Sequence, residues 1–232
     1  MNEFKCKFTY WNQYKLKLNL MKNIVIFGSS GHSKVIIDII EKLNGFKIIG
    51  IIDKEKSPGN NFFGHQVIGN ESELDLLIQK YNIHCGVIAI GDNSLRKKVS
   101  QDIISIYPGF KFESIIHPST NIGKNVKVGN GTVIMGGVTI NSDTVIGNHS
   151  IINTNSSIDH DCKIGNFVSI SPNCGLGGNV KIGDFNFIGI GANISNNINI
   201  GDNNVIGASS LVINNIDNNS FGYGIPFSKK SK

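Results

Sequence analysis

Two folds in series are predicted: a small α/β domain with a Rossmann-like parallel sheet, then an all-β parallel β-helix. Three observations carry this. Aliphatic residues recur every six positions from Ile116 to Val212. Before that stretch, continuous apolar runs alternate with helical patterns. The first of those runs leads through a glycine turn and a helix to a strand that ends in an acid, the arrangement of a nucleotide-binding βαβ unit. The chain accordingly divides into an N-terminal extension (1–20), an α/β domain (21–115), a β-helix (116–217) and a C-terminal tail (218–232).

The solenoid is read by stepping in sixes through Ile116, Ile122, Val128, Ile134 and onward to Ile200, Ile206 and Val212, with no insertion. A fixed short period means units that cannot bury their own side chain and must stack to make one continuous core. Four residues after each aliphatic stands a small or β-branched residue, from Val126 and Thr132 to Cys174 and Val180, which fits a narrow interior. The residue directly after each aliphatic is mostly Gly, Asn, Asp or Ser. These positions are expected to hold the left-handed backbone of sharp corners. Three hexads make one triangular rung of eighteen residues. A left hand is assigned by analogy with other hexapeptide proteins.

Composition limits the function classes. The net charge is +5 over 232 residues, and +3 of it sits in residues 1–20, on Lys5, Lys7, Lys15 and Lys17 against Glu3. The body is too weakly basic for a nucleic-acid-binding face. Cys6, Cys85, Cys162 and Cys174 show no zinc or CxxC spacing, so no metal is expected. Two of them fall at inward positions, where a reduced thiol serves as a small apolar filler. Reduced cysteines, no apolar run of membrane length and no secretory h-region predict a cytoplasmic protein. The first twenty residues are read as a basic extension or an upstream start, with a short added strand as the alternative.

In the α/β domain, Asn23–Phe27 is a buried strand, Gly28–Ser33 the turn, Lys34–Leu43 a helix, and Phe46–Ile52 a strand ending at Asp53. Ser30 and Ser33 stand where a full dinucleotide fingerprint has glycines, so a redox enzyme is not expected. A strand at Gln66–Ile68, a helix at Glu71–Tyr81 and a strand at Cys85–Ile90 follow. Ser94 is expected to cap a helix ending near Ile106, with Arg96, Lys97 and Lys98 in its first turns either solvated or facing a phosphate. Phe110–Ile116 reads as the last strand.

Six histidines occur. His65 and His84 have no evident partners, His117 precedes a proline at the domain junction, and His149 is expected to face solvent in a turn. His160 differs, lying between Asp159 and Asp161 and two places past the inward Ile158, so it points out of the solenoid. On spacing alone a surface histidine beside two acids is the commoner reading. An imidazole near neutral pKa beside a carboxylate is suited to accept a proton.

The chain resembles the hexapeptide-repeat sugar acyltransferases, which include sialic acid O-acetyltransferases and nucleotide-linked 4-amino-sugar N-acetyltransferases. The resemblance is carried by Ile26–His32 with Lys34-Val35, Ala89–Asn93 with Arg96-Lys97, Ile116-His117-Pro118, Asn153-Thr154, and His160-Asp161-Cys162 with Ile164-Gly165. It covers residues 21 to about 228. It implies a homotrimer with acetyl-CoA as co-substrate between neighbouring solenoids and a nucleotide-linked amino sugar on the α/β domain. It implies contacts to that sugar nucleotide from Gly31, His32, Asp53, Gly91, Asp92, Asn93 and Asn153. It makes His160 the general base and Asp161 the acid that raises its basicity. Gly178, Ile190 and Ala208 would line the coenzyme slot. Ser169 replaces a second histidine that contacts the acetyl group in many relatives, and Gly224-Ile225-Pro226-Phe227 departs from the usual Gly-x-Pro-Ala tail. The expected activity is acetyl transfer to a 4-amino-4,6-dideoxy sugar. O-acetylation of a sialic acid or other sugar is the alternative within the class. A non-catalytic nucleotide-sugar-binding protein or a structural solenoid is the alternative outside it.

Overall fold

The computed structural model describes residues 21–230; the extension expected over residues 1–20 lies outside the described residues. The α/β domain is a five-stranded sheet in the order β3-β4-β2-β1-β5. Its strands are β1 (Lys22–Phe27), β2 (Phe46–Ile52), β3 (Asn61–Phe62), β4 (His65–Gly69) and β5 (Cys85–Ile88). All neighbours are parallel except the β3–β4 hairpin. Helix α1 (Gly31–Lys42) covers one face with Ile36, Ile37, Ile39 and Ile40. Helices α2 (Leu74–Tyr81) and α3 (Asn93–Ile106) cover the other through Leu74, Leu77, Val99 and Ile103. Both faces are therefore dry, which is why β1 and β5 are continuous apolar runs rather than alternating ones.

Several boundaries differ from expectation for local reasons. Helix α1 starts at Gly31 rather than Lys34, because Ser33 Oγ turns back to accept from the Ser30 N–H at 3.0 Å and so closes the first turn early. Asp92, not Ser94, caps α3: its carboxylate accepts from the Leu95 N–H at 2.7 Å. The expected helix at Glu71–Tyr81 opens as a 3-10 turn over Glu71–Glu73. The strand expected to reach Ile90 stops at Ile88, and the expected Phe110–Ile116 strand is reduced to a bridge at Phe112 and the pair Ile115–Ile116.

From Ile115 the chain winds into a left-handed parallel β-helix with three faces. The first face runs from Asn121–Ile122 to Leu211–Val212, the second from Lys127–Val128 to Asn199–Ile200, and the third from Ile115–Ile116 to Val205–Ile206 and on to Phe221–Tyr223. Up to Val212 each rung pairs with the next at an eighteen-residue offset, as in Ile140↔Ile158, Ile146↔Ile164 and Ile152↔Ile170, and the last pairings, Val205↔Phe221 and Ile200↔Ile216, are offset by sixteen. From Ile134 onward the aliphatics and the small residues four places later form one buried core, whereas Ile122 in the first rung is exposed.

The corner chemistry is not as expected. The left-handed residues stand three places after each aliphatic: Asn125, Asp143, Asn155, Asp161, Asn173 and Asn179 among them, with Phe167 at φ 54° and Phe185 at φ 60°. The glycines directly after the aliphatics serve close stacking instead. At Gly165, Gly183 and Gly201 an added Cβ would lie within 2.5 Å of a side-chain oxygen of Asp184, Asp202 or Asn218 in the rung above. Those oxygens accept backbone N–H groups one rung below, from Asn166, Asp184 and Asp202 at 2.7 Å each. Glycine makes room for this Asx ladder, which satisfies corner amides that the sheets leave free.

The tail closes the open end of the solenoid. Phe221–Tyr223 adds to the third face, the chain turns back through Ser228–Lys229, and Phe227 packs against the core. The bulkier residue in place of the usual alanine is thus a plug for the last rung.

Candidate active site

The two domains share a core. Ile115, Val133, Met135 and Ile151 of the third face pack with Ile24, Ile36 and Ile40 of the α/β domain. The lower part of the third face is therefore covered, while Phe187 and Val205 higher on the same face are exposed. This arrangement decides where each candidate residue stands.

His160 lies between Ser157–Ile158 of the first face and Lys163–Ile164 of the second. It is at the vertex opposite the covered face. Asp161 takes the left-handed conformation (φ 60°), which swings its carboxylate beside the ring: Nδ1 and Oδ2 are 2.7 Å apart. The Asp159 carboxylate accepts the His160 N–H at 2.8 Å. The bond to Asp161, and then the charge of Asp159, raise the imidazole pKa above its ordinary value. With Nδ1–H tied to the carboxylate, Nε2 is the free basic nitrogen. Gly178 lies in the rung above at the same vertex, and an added Cβ there would come within 2.8 Å of the ring. Glycine lets the imidazole lie flat, at the edge of a cavity of about 510 Å³ lined by Asp159, Gly177, Asn179, Ser195 and Asn196.

Asn153, Ile190 and Ala208 share a different vertex, between the third and first faces. Ile190 is 52% exposed there. Within one chain, then, the residues expected to line one coenzyme slot fall on two vertices.

The α/β residues gather at the C-terminal ends of its strands. Gly31 opens α1 with no atom near its missing Cβ. His32 is half-buried, its Nε2 has no partner, and burial with the nearby Arg96 charge pushes its pKa down to about 4. Asp53 accepts the N–H groups of Glu55 (2.9 Å) and Lys56 (3.2 Å) and a hydrogen bond from Ser29 Oγ. These bonds hold its carboxyl below the usual range despite partial burial. Lys56 Nζ donates to Ser29 O at 3.1 Å beside the same turn, a cation that sequence reading passed over.

Two of the expected contact residues have partners within the chain. Asn93 and Ser169 are turned into the domain interface: Ser169 Oγ donates to Asn93 Oδ1 at 2.7 Å, and Asn93 Nδ2 donates to Asn186 O at 3.1 Å. Ser169 is buried in this chain and its hydroxyl is engaged by Asn93. Arg96 is neither solvated nor facing a phosphate but buried, donating through Nε to His149 O at 2.7 Å. His149 does not face solvent either. It stacks on Phe167 at 5.1 Å and meets the edge of Phe112 at 4.7 Å, and burial pushes its pKa down to about 4. Phe167 continues the stack to Phe185 at 5.4 Å, and Lys97 lies over that last ring. The eighteen-residue spacing of His149, Phe167 and Phe185 was the available signal. The other histidines have partners: His65 pairs with Glu41 at 3.0 Å, His84 Nδ1 accepts from Asn23 N, and His117 Nδ1 accepts from Ser119 N.

Cys162 and Cys174 face the core, and burial raises both thiols. Among the described residues no cluster of His, Cys, Asp or Glu could hold a metal ion, and no helix is long and apolar enough to cross a membrane.

Both domains have relatives among known proteins. Residues 23–103 match the PglD N-terminal domain, and residues 119–153 and 143–178 match the bacterial transferase hexapeptide repeat. UDP-N-acetylbacillosamine N-acetyltransferase of Bacillus subtilis (strain 168) is 34% identical over 121 residues, which are 50% of this chain and 52% of that protein. The chain thus spans about half the length of that curated relative. A histidine-to-asparagine variant of perosamine N-acetyltransferase from Caulobacter crescentus, in complex with CoA and GDP-perosamine, superposes with TM-score 0.84 at 31% identity over 90% of this chain and 97% of that one. The acetyltransferase domain of PglB from Neisseria gonorrhoeae in complex with acetyl coenzyme A gives TM-score 0.80 at 26% identity over 90% and 100%. With an α/β domain of PglD type set against one face of a hexapeptide solenoid over nearly the full length of a solved relative, the chain belongs to the hexapeptide-repeat sugar acyltransferase family.

Proposed function

We propose that this protein transfers acetyl from acetyl-CoA to the amino group of a nucleotide-linked 4-amino-4,6-dideoxy sugar, by direct attack with His160 as general base. The observation that carries it is the His160–Asp161 pair, an exposed imidazole with its Nδ1 tied to a carboxylate and Nε2 free over Gly178. The substrate amine loses a proton to Nε2 as its nitrogen bonds to the thioester carbon. The C–S bond then breaks, and the proton passes to the leaving CoA thiolate. No acyl-enzyme is needed, and the buried thiols are poor nucleophiles. The amino-sugar substrates in the names of the relatives favour N- over O-acetylation here.

His160 stands opposite the face that carries its own α/β domain. The site is therefore completed by a second copy. A cyclic trimer places the Asn153, Ile190 and Ala208 vertex of one solenoid against the His160 and Gly178 vertex of the next, so that both line one coenzyme slot. Gly31, His32 and Asp53 present the nucleotide. The site is cytoplasmic, where acetyl-CoA and sugar nucleotides meet. Free-thiol release from acetyl-CoA, measured against UDP-, dTDP- and GDP-linked 4-amino sugars, should show turnover with at least one of them, and sedimentation should give a trimer. Absence of release across the whole panel overturns the assignment, and a stable monomer at micromolar concentration overturns the shared site.

A further inference from the structure

A buried guanidinium ordinarily meets a carboxylate. Arg96 does not. It is 1% exposed, and although burial pulls its pKa down to about 10, it is charged at neutral pH. All five of its N–H donors end on neutral oxygens. Nε donates to His149 O at 2.7 Å, Nη1 to Ile90 O and Gly91 O at 2.9 Å each, and Nη2 to Asn93 Oδ1 at 2.8 Å and Ser169 Oγ at 3.4 Å. The acceptors belong to two structures. Ile90, Gly91 and Asn93 form the loop that follows β5 at the nucleotide end of the α/β domain, whereas His149 and Ser169 belong to the solenoid. Asn93 extends the network through its bonds to Ser169 Oγ and Asn186 O.

The planar fork matters here. Five donors in fixed directions can hold a loop and a solenoid wall in one geometry, and a lysine ammonium cannot reach all five acceptors. The charge also acts beyond its bonds: after burial, it lowers the pKa of His32 at the first turn of α1. That turn is where the free N–H groups of a helix start favour an anion.

Resting on the transfer reaction proposed above, we propose that Arg96 is a positioning residue for it: the fork bolts the Ile90–Asn93 loop to the solenoid, setting where the bound sugar nucleotide stands relative to the acetyl donor, and the unpaired cation favours that anionic ligand. Ser169 is part of the same bolt and touches neither substrate. Three variants test this by thiol release with the sugar nucleotide that wild type turns over. Arg96→Met should raise KM for the sugar nucleotide about tenfold or more and lower kcat, with KM for acetyl-CoA within twofold of wild type. Arg96→Lys keeps the charge and loses the fork, so kcat should fall while KM for the sugar nucleotide stays nearer wild type. Ser169→Ala should lower kcat a few-fold with KM for acetyl-CoA unchanged. A rise in KM for acetyl-CoA in Ser169→Ala, or wild-type constants in folded Arg96→Lys and Arg96→Met, overturns the proposal. If no sugar nucleotide is turned over, the reaction fails and the bolt is still tested by amide hydrogen exchange. Arg96→Lys should speed exchange across Gly91–Leu95 while leaving β1 as in wild type, and unchanged exchange there overturns it.

Discussion

Two histidines stand at neighbouring vertices of one solenoid and have become opposite kinds of group. His160, at the uncovered vertex, is exposed, bonded to Asp161 and shifted towards greater basicity. His149, at the vertex that α3 overlies, is stacked on Phe167 with Phe112 edge-on, has no partner for Nδ1, and is driven down to about 4 by burial. Both sit on corners of the same repeating rung. What separates them is the α/β domain, which removes water from one vertex and leaves the other exposed. Burial disfavours the imidazolium and a bonded carboxylate favours it. One fold has thereby made a structural histidine and a basic one.

The largest effect expected from breaking this contrast is at His160. His160→Ala should lower kcat by roughly 10²–10⁴-fold, the scale of a lost general base. Acetyl-CoA binding should persist, because Gly178, Ile190 and Ala208, which line the proposed coenzyme slot with His160, stand on other rungs. Raising the pH should restore part of the rate by supplying the free amine. Near wild-type turnover at neutral pH would mean the amine loses its proton to water and His160 is a bystander.

The next effect is on stability. His149 and His32 both have folded pKa values of about 4, below the ordinary 6.5 of an unfolded histidine. The unfolded chain therefore binds more protons between those values. The stabilising contribution is complete above pH 6.5 and is lost as pH falls towards 4, by roughly 3–3.5 kcal/mol at most for each group at the usual worth of a pKa unit. His149→Phe extends the ring stack in a corner conformation that Phe167 and Phe185 already adopt. It should leave stability at pH 7 within about 1 kcal/mol and flatten the loss between pH 6.5 and 4, measured by urea unfolding at several pH values. An unchanged slope would show that His149 does not titrate with unfolding.

How much of this was legible depends on range. The solenoid was readable because each rung repeats a local pattern, and Ile158 fixes by register that His160 points outward. The corners misled because glycine suggests positive φ. Here Gly165 and Gly183 are required by the Asx side chains stacked on them, while Asn, Asp and even Phe take the left-handed position. The domain interface was not legible at all. That Arg96 is buried, that Asn93 and Ser169 face each other, and that His149 is dry are contacts between residues 53 to 76 positions apart. No local propensity encodes such a pairing, although the 149–167–185 column could have been drawn from the period.

The smallest expected effect sharpens the contrast at His160 itself. Asp161→Asn preserves a hydrogen-bonding side chain beside Nδ1 and removes the charge. Asparagine at a left-handed corner is native at Asn155, Asn173 and Asn179, so the backbone should hold. The neutral amide favours the imidazolium less than the carboxylate does, so the pKa of His160 should fall. Two consequences oppose each other. A weaker base slows proton removal in the transition state, which should cost about tenfold in kcat at neutral pH, less than loss of the imidazole itself. A lower pKa also keeps His160 unprotonated further into acid, so the acid limb of kcat/KM should move to lower pH. Loss of rate with a displaced acid limb identifies Asp161 as tuning the base. Loss of rate with an unmoved limb would instead mean that Asp161 acts only through the shape of the corner, and that the limb belongs to the substrate amine.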